Sequence, residues 1–292
     1  MKKILITGAN SYIGTSLEKY LSAWPQDFRV DTLDMIGDAW REASFAGYDT
    51  VFHVAGIAHS DYGRISEEQR ELYYRVNTDL AIETARKAKA EGAGQFIFMS
   101  SAIVYGNSAG LGKNKHIDRD TPVAPANCYG DSKAKAEAGI LPLNGEGFKV
   151  VILRPPMVYG PGSKGNYPTL AKLARTLPAF PKVDNRRSML YVKNLMEFIR
   201  LMVVHGEAGI FWPQNREYVN TTEMARLIAL AHGKKLAVIP GFGWALKLMS
   251  HVTALVDKAF GSLTYDMSLS EYRENYRIAG LEDSIQETEG IL

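Results

Sequence analysis

Cysteine is nearly absent. Cys128 is the single one in 292 residues, which excludes an intramolecular disulfide framework and a zinc site built from several thiolates. That scarcity fits a reducing cytoplasm. A block of like charge is missing too: the formal net charge of +2 is spread along the chain, so charge gives no case for nucleic acid. No apolar run is long and uncharged enough to span a bilayer. The nearest, 241–261, carries Lys247, His251, Asp257 and Lys258. Met1-Lys2-Lys3 followed by Ile4-Leu5-Ile6 starts like a signal peptide, but the apolar run stops at Thr7-Gly8 and reads better as a first strand. His53 and His59 lack metal-ligand spacing and are expected at buried or rim positions, and no metal is expected. Internal repeats, low-complexity tracts and flexible linkers are absent as well. With 46% hydrophobic and 23% charged residues, the chain suits one large folded unit or two closely joined lobes, with a small molecule as partner.

What is present begins with a strand, a glycine turn and a helix. Lys2–Thr7 is a short, branched apolar run of the kind found in buried parallel strands. Gly8-Ala9-Asn10-Ser11-Tyr12-Ile13-Gly14 then enters an amphipathic segment with Leu17, Tyr20, Leu21 and Trp24 on one side. That order cradles phosphates. Gly8 permits the tight turn, Gly14 lets helix pack close on strand, and the helix N-terminus offers free N–H groups to a pyrophosphate. Ser11 stands where the usual middle glycine would be. A second strand, Phe28–Leu33, ends at Asp34, whose carboxylate would accept hydrogen bonds from an adenosine ribose and repel a 2′-phosphate. Residues 35–48, with 38–42 as a helix opening, are too few for a full helix, strand and helix before the next strand at 49–54. Ala55-Gly56-Ile57-Ala58-His59 follows it with small residues that let a cofactor approach the backbone.

Residues 67–90 predict one long helix carrying Leu72, Val76, Leu80, Ile82 and Ala85. Asn77 lies in its interior, where an amide has a lower helix propensity than its neighbours; on pattern alone it is an exposed asparagine. Gln95–Met99 is a buried strand that delivers Ser100 and Ser101 to its C-terminal end, the edge where open parallel sheets bind ligands. A polar, proline-bearing loop, 113–127, leads to 128–135, where Tyr129 and Lys133 share a face if the segment is helical. A phenol has a pKa of about 10, so ionising it near pH 7 takes roughly 4 kcal/mol of help from positive charge. Lys133 could supply part of it; the same spacing also suits an ordinary exposed pair. After a strand at 150–153 and a proline-rich turn at 154–162, the alternation loosens, with helices near 169–176, 192–204 and 222–232 and short strands near 189–192 and 209–212. The expected architecture is α/β: a doubly wound parallel sheet in 1–154, with 189–212 returning to it, and a smaller substrate lobe from 155–188 and 213–292.

Together these pieces resemble the extended short-chain dehydrogenase/reductase family, particularly its NAD-dependent nucleotide-sugar epimerases and dehydratases, over most of the chain. Residues 7–14 look like that family's Thr-Gly-x-x-Gly-x-x-Gly loop with the middle glycine replaced. Ser100-Ser101-Ala102-Ile103-Val104-Tyr105-Gly106 matches the segment carrying the catalytic serine or threonine, which falls on Ser101, and the catalytic tyrosine and lysine fall on Tyr129 and Lys133. The resemblance implies a Rossmann-type domain that binds NAD through Gly8, Asn10, Ser11, Tyr12, Ile13, Gly14, Asp34, Met35, Ala55, Gly56, Asn77, Ser100, Tyr129, Lys133 and Pro156. Residues 34–49 are similar to the family's stretch after the third strand, where an aspartate and its apolar neighbour contact adenine. Asp34 therefore reads as either a ribose or an adenine contact, with one edge strand-helix unit missing or merged. Met157 replaces the asparagine the family often has in Arg-x-x-Asn-x-Tyr-Gly-Pro. Residues 187–195 look like Arg-Asp-Tyr-Ile-His-Val-x-Asp-Leu, which makes Arg187 a clamp for substrate phosphate; Ser101, Met157 and Asn166 join it as expected substrate contacts.

The resemblance also implies chemistry. Tyr129 removes a sugar hydroxyl proton, Ser101 holds that hydroxyl, and Lys133 lowers the phenol's pKa and binds the cofactor ribose. Dehydratases of the family follow the serine position with Asp-Glu; here Ala102 and Ile103 cannot transfer protons, so dehydration is not expected. Asp34 favours NAD over NADP, which suits internal hydride return. The expected activity is a cytoplasmic nucleotide-sugar 4-epimerase of polysaccharide biosynthesis, acting on a UDP-hexose or UDP-N-acetylhexosamine through a transient 4-keto sugar. An NAD(P)-dependent sugar reductase or dehydrogenase is the alternative, and a dinucleotide-sensing module without catalysis a third. A homodimer through the 67–90 and Tyr129 helices is implied likewise. In 240–260, Trp244, Leu248, Val252, Leu255 and Val256 recur at helical spacing with Lys247, His251 and Lys258 interleaved. Such a helix packs on the substrate lobe or a partner subunit, or lies on a membrane surface that presents a lipid-linked sugar.

Overall fold

The computed structural model describes residues 1–57, 66–241 and 260–292. His59 and the amphipathic stretch within 241–261, from 242 to 259, lie outside the described residues. The chain runs β1 (Lys2–Thr7), α1 (Tyr12–Leu21), β2 (Phe28–Leu33), β3 (Thr50–His53), α2 (Glu67–Tyr74), α3 (Leu80–Ala90), β4 (Gln95–Met99), β5 (His116–Ile117), α4 (Cys128–Ile140), β6 (Lys149–Leu153), β7 (Met157–Tyr159), α5 (Asn166–Thr176), β8 (Ala179–Pro181), β9 (Met189–Tyr191), α6 (Val192–His205), β10 (Gly209–Phe211), α7 (Thr221–Ala231), β11 (Ala237–Ile239), β12 (Thr264–Tyr265) and α8 (Leu281–Thr288). Two compact units result. The first is Met1–Gly106, Pro122–Pro155 and Leu195–Pro213; the second is Asn107–Thr121, Pro156–Asn194 and Gln214–Leu292.

The first unit is a Rossmann-type sheet of six strands in the order β10-β6-β4-β3-β1-β2, every adjacent pair parallel. β3 and β4 are buried along their whole length, as strands covered on both faces must be, and their sequences Thr-Val-Phe-His and Gln-Phe-Ile-Phe-Met are accordingly not alternating. From β2 the chain crosses directly to β3, on the far side of β1. The usual third strand, outside β2, is the unit left out, so β2 is an edge and is only partly buried. In place of that unit a single 3₁₀ turn, Ala39–Arg41, sends Trp40 inward. Trp40 and Phe45 pack into one core cluster with Leu5, Val51 and Phe96.

The stretch expected as one helix is continuous but not uniform: between α2 and α3, Arg75–Asp79 form a π turn. The extra residue in a π turn changes which side chains point inward. Asn77, which on pattern alone would be exposed, is fully buried, and Thr78 beside it is buried as well.

The second unit holds three two-stranded ladders, β7–β9, β8–β11 and β5–β12. Residues 189–194 and the loop 107–121 belong here because β9 pairs with β7 and β5 with β12. Its C-terminal helix is fastened by phenols: Tyr167 donates to Glu289 at 2.9 Å, and Tyr191 donates to Glu287. Among the described residues no helix is long and apolar enough to cross a membrane.

Candidate active site

Where β1 ends, Gly8 adopts φ +118°, and a Cβ there would lie 2.6 Å from the backbone N of Ala55. Glycine alone lets the chain leave β1 so close to the exit of β3. Asn10, at φ 62°, is the one non-glycine with a positive φ among the described residues, a conformation asparagine tolerates. Ser11 caps α1, its Oγ accepting from Gly14 N at 3.1 Å; a serine in the middle-glycine position thus supplies the N-cap. A Cβ on Gly14 would meet that Oγ at 2.6 Å and Ile6 Cγ2 at 3.1 Å, so helix and strand pack in close contact. Gly8, Asn10, Ser11, Asp34, Met35 and Gly56 are among the residues lining a cleft of about 370 Å³. The cleft opens at the first turn of α1, where helical N–H groups lack acceptors in their own helix. Tyr12 and Ile13 form that turn. The Tyr12 hydroxyl is buried without a partner among the described residues, and burial holds it neutral. Asp34 stands exposed at the end of the strand next to β1, its Oδ1 accepting from Ile36 N at 3.0 Å. N–H groups for a pyrophosphate, a carboxylate for ribose hydroxyls and glycines where a Cβ would collide fit an adenine dinucleotide.

Beside this cleft stand the serine, tyrosine and lysine. Asn127 caps α4, accepting from Gly130 N at 2.8 Å, and a Cβ on Gly130 would be 2.7 Å from Ile103 O. α4 therefore starts hard against the turn that follows β4. Ser101 caps that turn, its Oγ accepting from Ile103 N at 3.3 Å. Burial pushes the Tyr129 phenol up to about 12; the nearby Ser101 hydroxyl pulls it down and the neighbouring Tyr73 pushes it up. Tyr73 and Tyr129 rings are 6.3 Å apart, centre to centre. Lys133 is 5% exposed. Its Nζ donates to Met99 O at 2.9 Å and sits 4.7 Å from the centre of the Phe98 ring. Burial pulls the ammonium down to about 8, against the opposing charge of Glu137. At pH 7 the protein alone thus holds a charged lysine and a neutral phenol; the lowering of the phenol expected from Lys133 is not among the influences on it, where burial dominates.

Two expected cofactor contacts have their side chains engaged by protein. The Asn77 Oδ1 accepts from Ile57 N at 2.8 Å, and its Nδ2 donates to Ile57 O at 3.0 Å and to Ser132 Oγ at 3.1 Å. The Ser100 hydroxyl donates to Glu137. Glu137 also takes a fork from Arg154, whose Nη2 lies 2.5 Å from Oε2. Arg154 Nη1 donates to Tyr105 at 2.6 Å, as does Trp212 Nε1 at 2.8 Å. Sequence reasoning missed Glu137, Arg154 and Tyr73. The available signal was spacing: Glu137 follows Lys133 by one helical turn, and Tyr73 precedes Asn77 by one. His53 is buried beneath, 2.9 Å from Thr7 Oγ1 through Nδ1, and burial together with the Lys133 charge pushes it down to about 3.

Pro156, Met157, Asn166 and Arg187 belong to the second unit. Met157 opens β7 opposite Met189. Asn166 begins α5, preceded by Gly165 at φ 96° with no side-chain cap. Arg187 bridges through its backbone to Val219 and Leu263, and burial pulls its guanidinium down to about 10. No cluster of metal-ligating side chains occurs among the described residues.

Residues 4–212 match the model of the NAD dependent epimerase/dehydratase family. A UDP-glucose 4-epimerase from Vibrio cholerae is 31% identical over 292 residues, covering 91% of this chain and 88% of that protein. A GDP-6-deoxy-D-mannose reductase from Pseudomonas aeruginosa is 29% identical over 229 residues, covering 71% and 72%. The solved structure of a UDP-glucuronic acid 4-epimerase from Bacillus cereus in complex with NAD shares the fold, with a TM-score of 0.73 at 15% identity over 99% of this chain and 96% of that one.

Proposed function

The chain belongs to the NAD dependent epimerase/dehydratase family, and from that premise we propose that it is a nucleotide-sugar 4-epimerase acting on a UDP-hexose or UDP-N-acetylhexosamine. The observation that carries the reading is Ser101 near enough to the Tyr129 phenol to lower its pKa, with buried Lys133 one turn along the same helix and next to Gly56 of the cleft. Ser101 holds the sugar 4-hydroxyl and Tyr129 takes its proton. NAD held by the first turn of α1 and by Asp34 would supply the hydride acceptor for C4 and a positive charge that favours the phenolate. Lys133, on the same helix as Tyr129, would add its own charge to the site.

Ala102 and Ile103 follow Ser101 and carry no group that can move a proton, which argues against water elimination. Arg187 is the residue we assign to the substrate phosphate, with Asn166 and Met157 as further substrate contacts. The reductase among the relatives supports a second reading, net reduction of a keto sugar on the same three residues. Incubation with UDP-hexoses and UDP-N-acetylhexosamines without added cofactor, followed by separation of C4 epimers, tests the choice. Epimer formation is expected; none with any sugar, together with steady NADPH oxidation by a keto sugar, would replace epimerisation with reduction.

A further inference from the structure

We propose that the second unit carries a binding site for a small oxyanion, a phosphate or carboxylate group, on the face of its strands opposite Arg187. The inference goes beyond the epimerase reading and stands without it. A pocket of about 210 Å³ is lined by Asn114, His116, Arg186, Tyr218 and Thr264, all within that unit. Strand geometry sets the pocket apart from Arg187. Arg187 bridges antiparallel to Val219 and parallel to Leu263, and successive residues of an extended chain point to opposite faces. Arg186, Tyr218 and Thr264 each lie one residue from that row and therefore share the other face.

The pocket's polar groups are fixed by their neighbours. β5 and β12 pair with His116 opposite Thr264. Its Nδ1 lies 3.1 Å from Thr264 Oγ1 and its Nε2 3.5 Å from Asp266 Oδ2. The Tyr218 hydroxyl donates to Tyr265 O at 2.7 Å. Arg186 differs from these: its backbone N donates to Ser262 Oγ at 3.3 Å, but among the described residues its guanidinium has no ion-pair partner. Burial and Asp266 push the Tyr218 phenol up while Arg186 pulls it down, so both charges act on the pocket. A guanidinium without a carboxylate presents a planar set of donors that matches the oxygens of a phosphate or carboxylate. The Asn114 amide and the Thr264 hydroxyl can add donors, and His116 can add one in its protonated form. Asp266 opposes an anion and sets a limit on its affinity. The volume is below the roughly 300–1,000 Å³ that encloses a drug-sized ligand, so the pocket suits a small anion and not a whole nucleotide sugar.

The test titrates inorganic phosphate into the full chain by calorimetry at constant ionic strength, in the parent, Arg186→Gln, Arg187→Gln and Asp266→Asn, with acetate and chloride as comparison anions. Thermal melting of each variant is read alongside. Arg186→Gln should weaken phosphate about tenfold or more, Arg187→Gln should keep the binding, and Asp266→Asn should tighten it. Acetate that depends on Arg186 in the same way identifies a carboxylate as an occupant, and phosphate alone a phosphate. Should Arg186→Gln fail to fold, Asn114→Ala, altered at an exposed position, reads the loss instead. If Arg187→Gln abolishes binding while Arg186→Gln leaves it intact, the anion sits on the substrate side and the proposal fails. It fails equally if the parent takes up no phosphate, or if chloride binds as tightly as phosphate.

Discussion

Burial shifts both Tyr129 and Lys133 toward their neutral forms. The phenol is held protonated up to about 12, and the ammonium is lost above about 8. Lys133 lies below its ordinary pKa because burial penalises its charge; the ammonium is half lost at about pH 8 and fades further as pH rises. Epimerisation is therefore expected to fall off on the alkaline side near pH 8. Glu137 raises the lysine, so Glu137→Gln should move that alkaline limit to lower pH, measured as the pH–rate profile beside the parent. Tyr129→Phe keeps the ring and removes the proton carrier, and should cut kcat by about 10²- to 10⁴-fold while NAD titration stays near the parent's. Ser101, Tyr129 and Lys133 could be proposed from the sequence because their segments resemble the family's motifs in order and spacing. Glu137, Arg154 and Tyr73 were not, because a buried charge or ring acts through neighbours that only folding brings close.

Two elements show how local backbone decides function. Gly8→Ala places a Cβ 2.6 Å from Ala55 N at φ +118°, combining collision with strain; a loss of about 1–3 kcal/mol from the strain alone and failure to retain NAD are expected. Gly37→Ala is the control. Its φ is +70° but nothing lies within 4 Å, so it should lower the melting temperature slightly and leave NAD binding intact. A binding loss in Gly37→Ala equal to that in Gly8→Ala would show that strain, not the close approach at Ala55, governs the loop. The glycine turn and the absent edge unit could be read from residue spacing, since 35–48 cannot hold a helix, strand and helix. The π turn could not: one extra residue barely disturbs the apolar periodicity of 67–90, yet it turns Asn77 from solvent to the core.

At the scale of the whole chain, the units are discontinuous. The first recovers its last strand, β10, from a segment far along the sequence, where Gly209–Phe211 extend the sheet beside β6. The sequence reading returned 189–212 to this unit; β10 and α6 from Leu195 on do return, whereas 189–194 stay in the second unit because β9 pairs with β7. The second unit's phenol–carboxylate fastenings of α8 were unreadable, because each joins residues about a hundred positions apart.

Because its dinucleotide cleft is assembled only in the folded first unit, NAD should bind the native chain and not the unfolded one, and so stabilise it by mass action. At a hundredfold excess over Kd that amounts to about 2.7 kcal/mol, visible as a higher melting temperature. Asp34 sets the sign of the comparison with NADP. Its exposed carboxylate, at the end of the strand beside β1, would accept from ribose hydroxyls and repel a 2′-phosphate. At equal concentration NADP should therefore raise the melting temperature less than NAD. Asp34→Ser removes the repulsion together with one acceptor, so the NAD shift should shrink and the NADP shift grow. Equal shifts for the two cofactors in the parent would take Asp34 out of the ribose site and return it to the adenine.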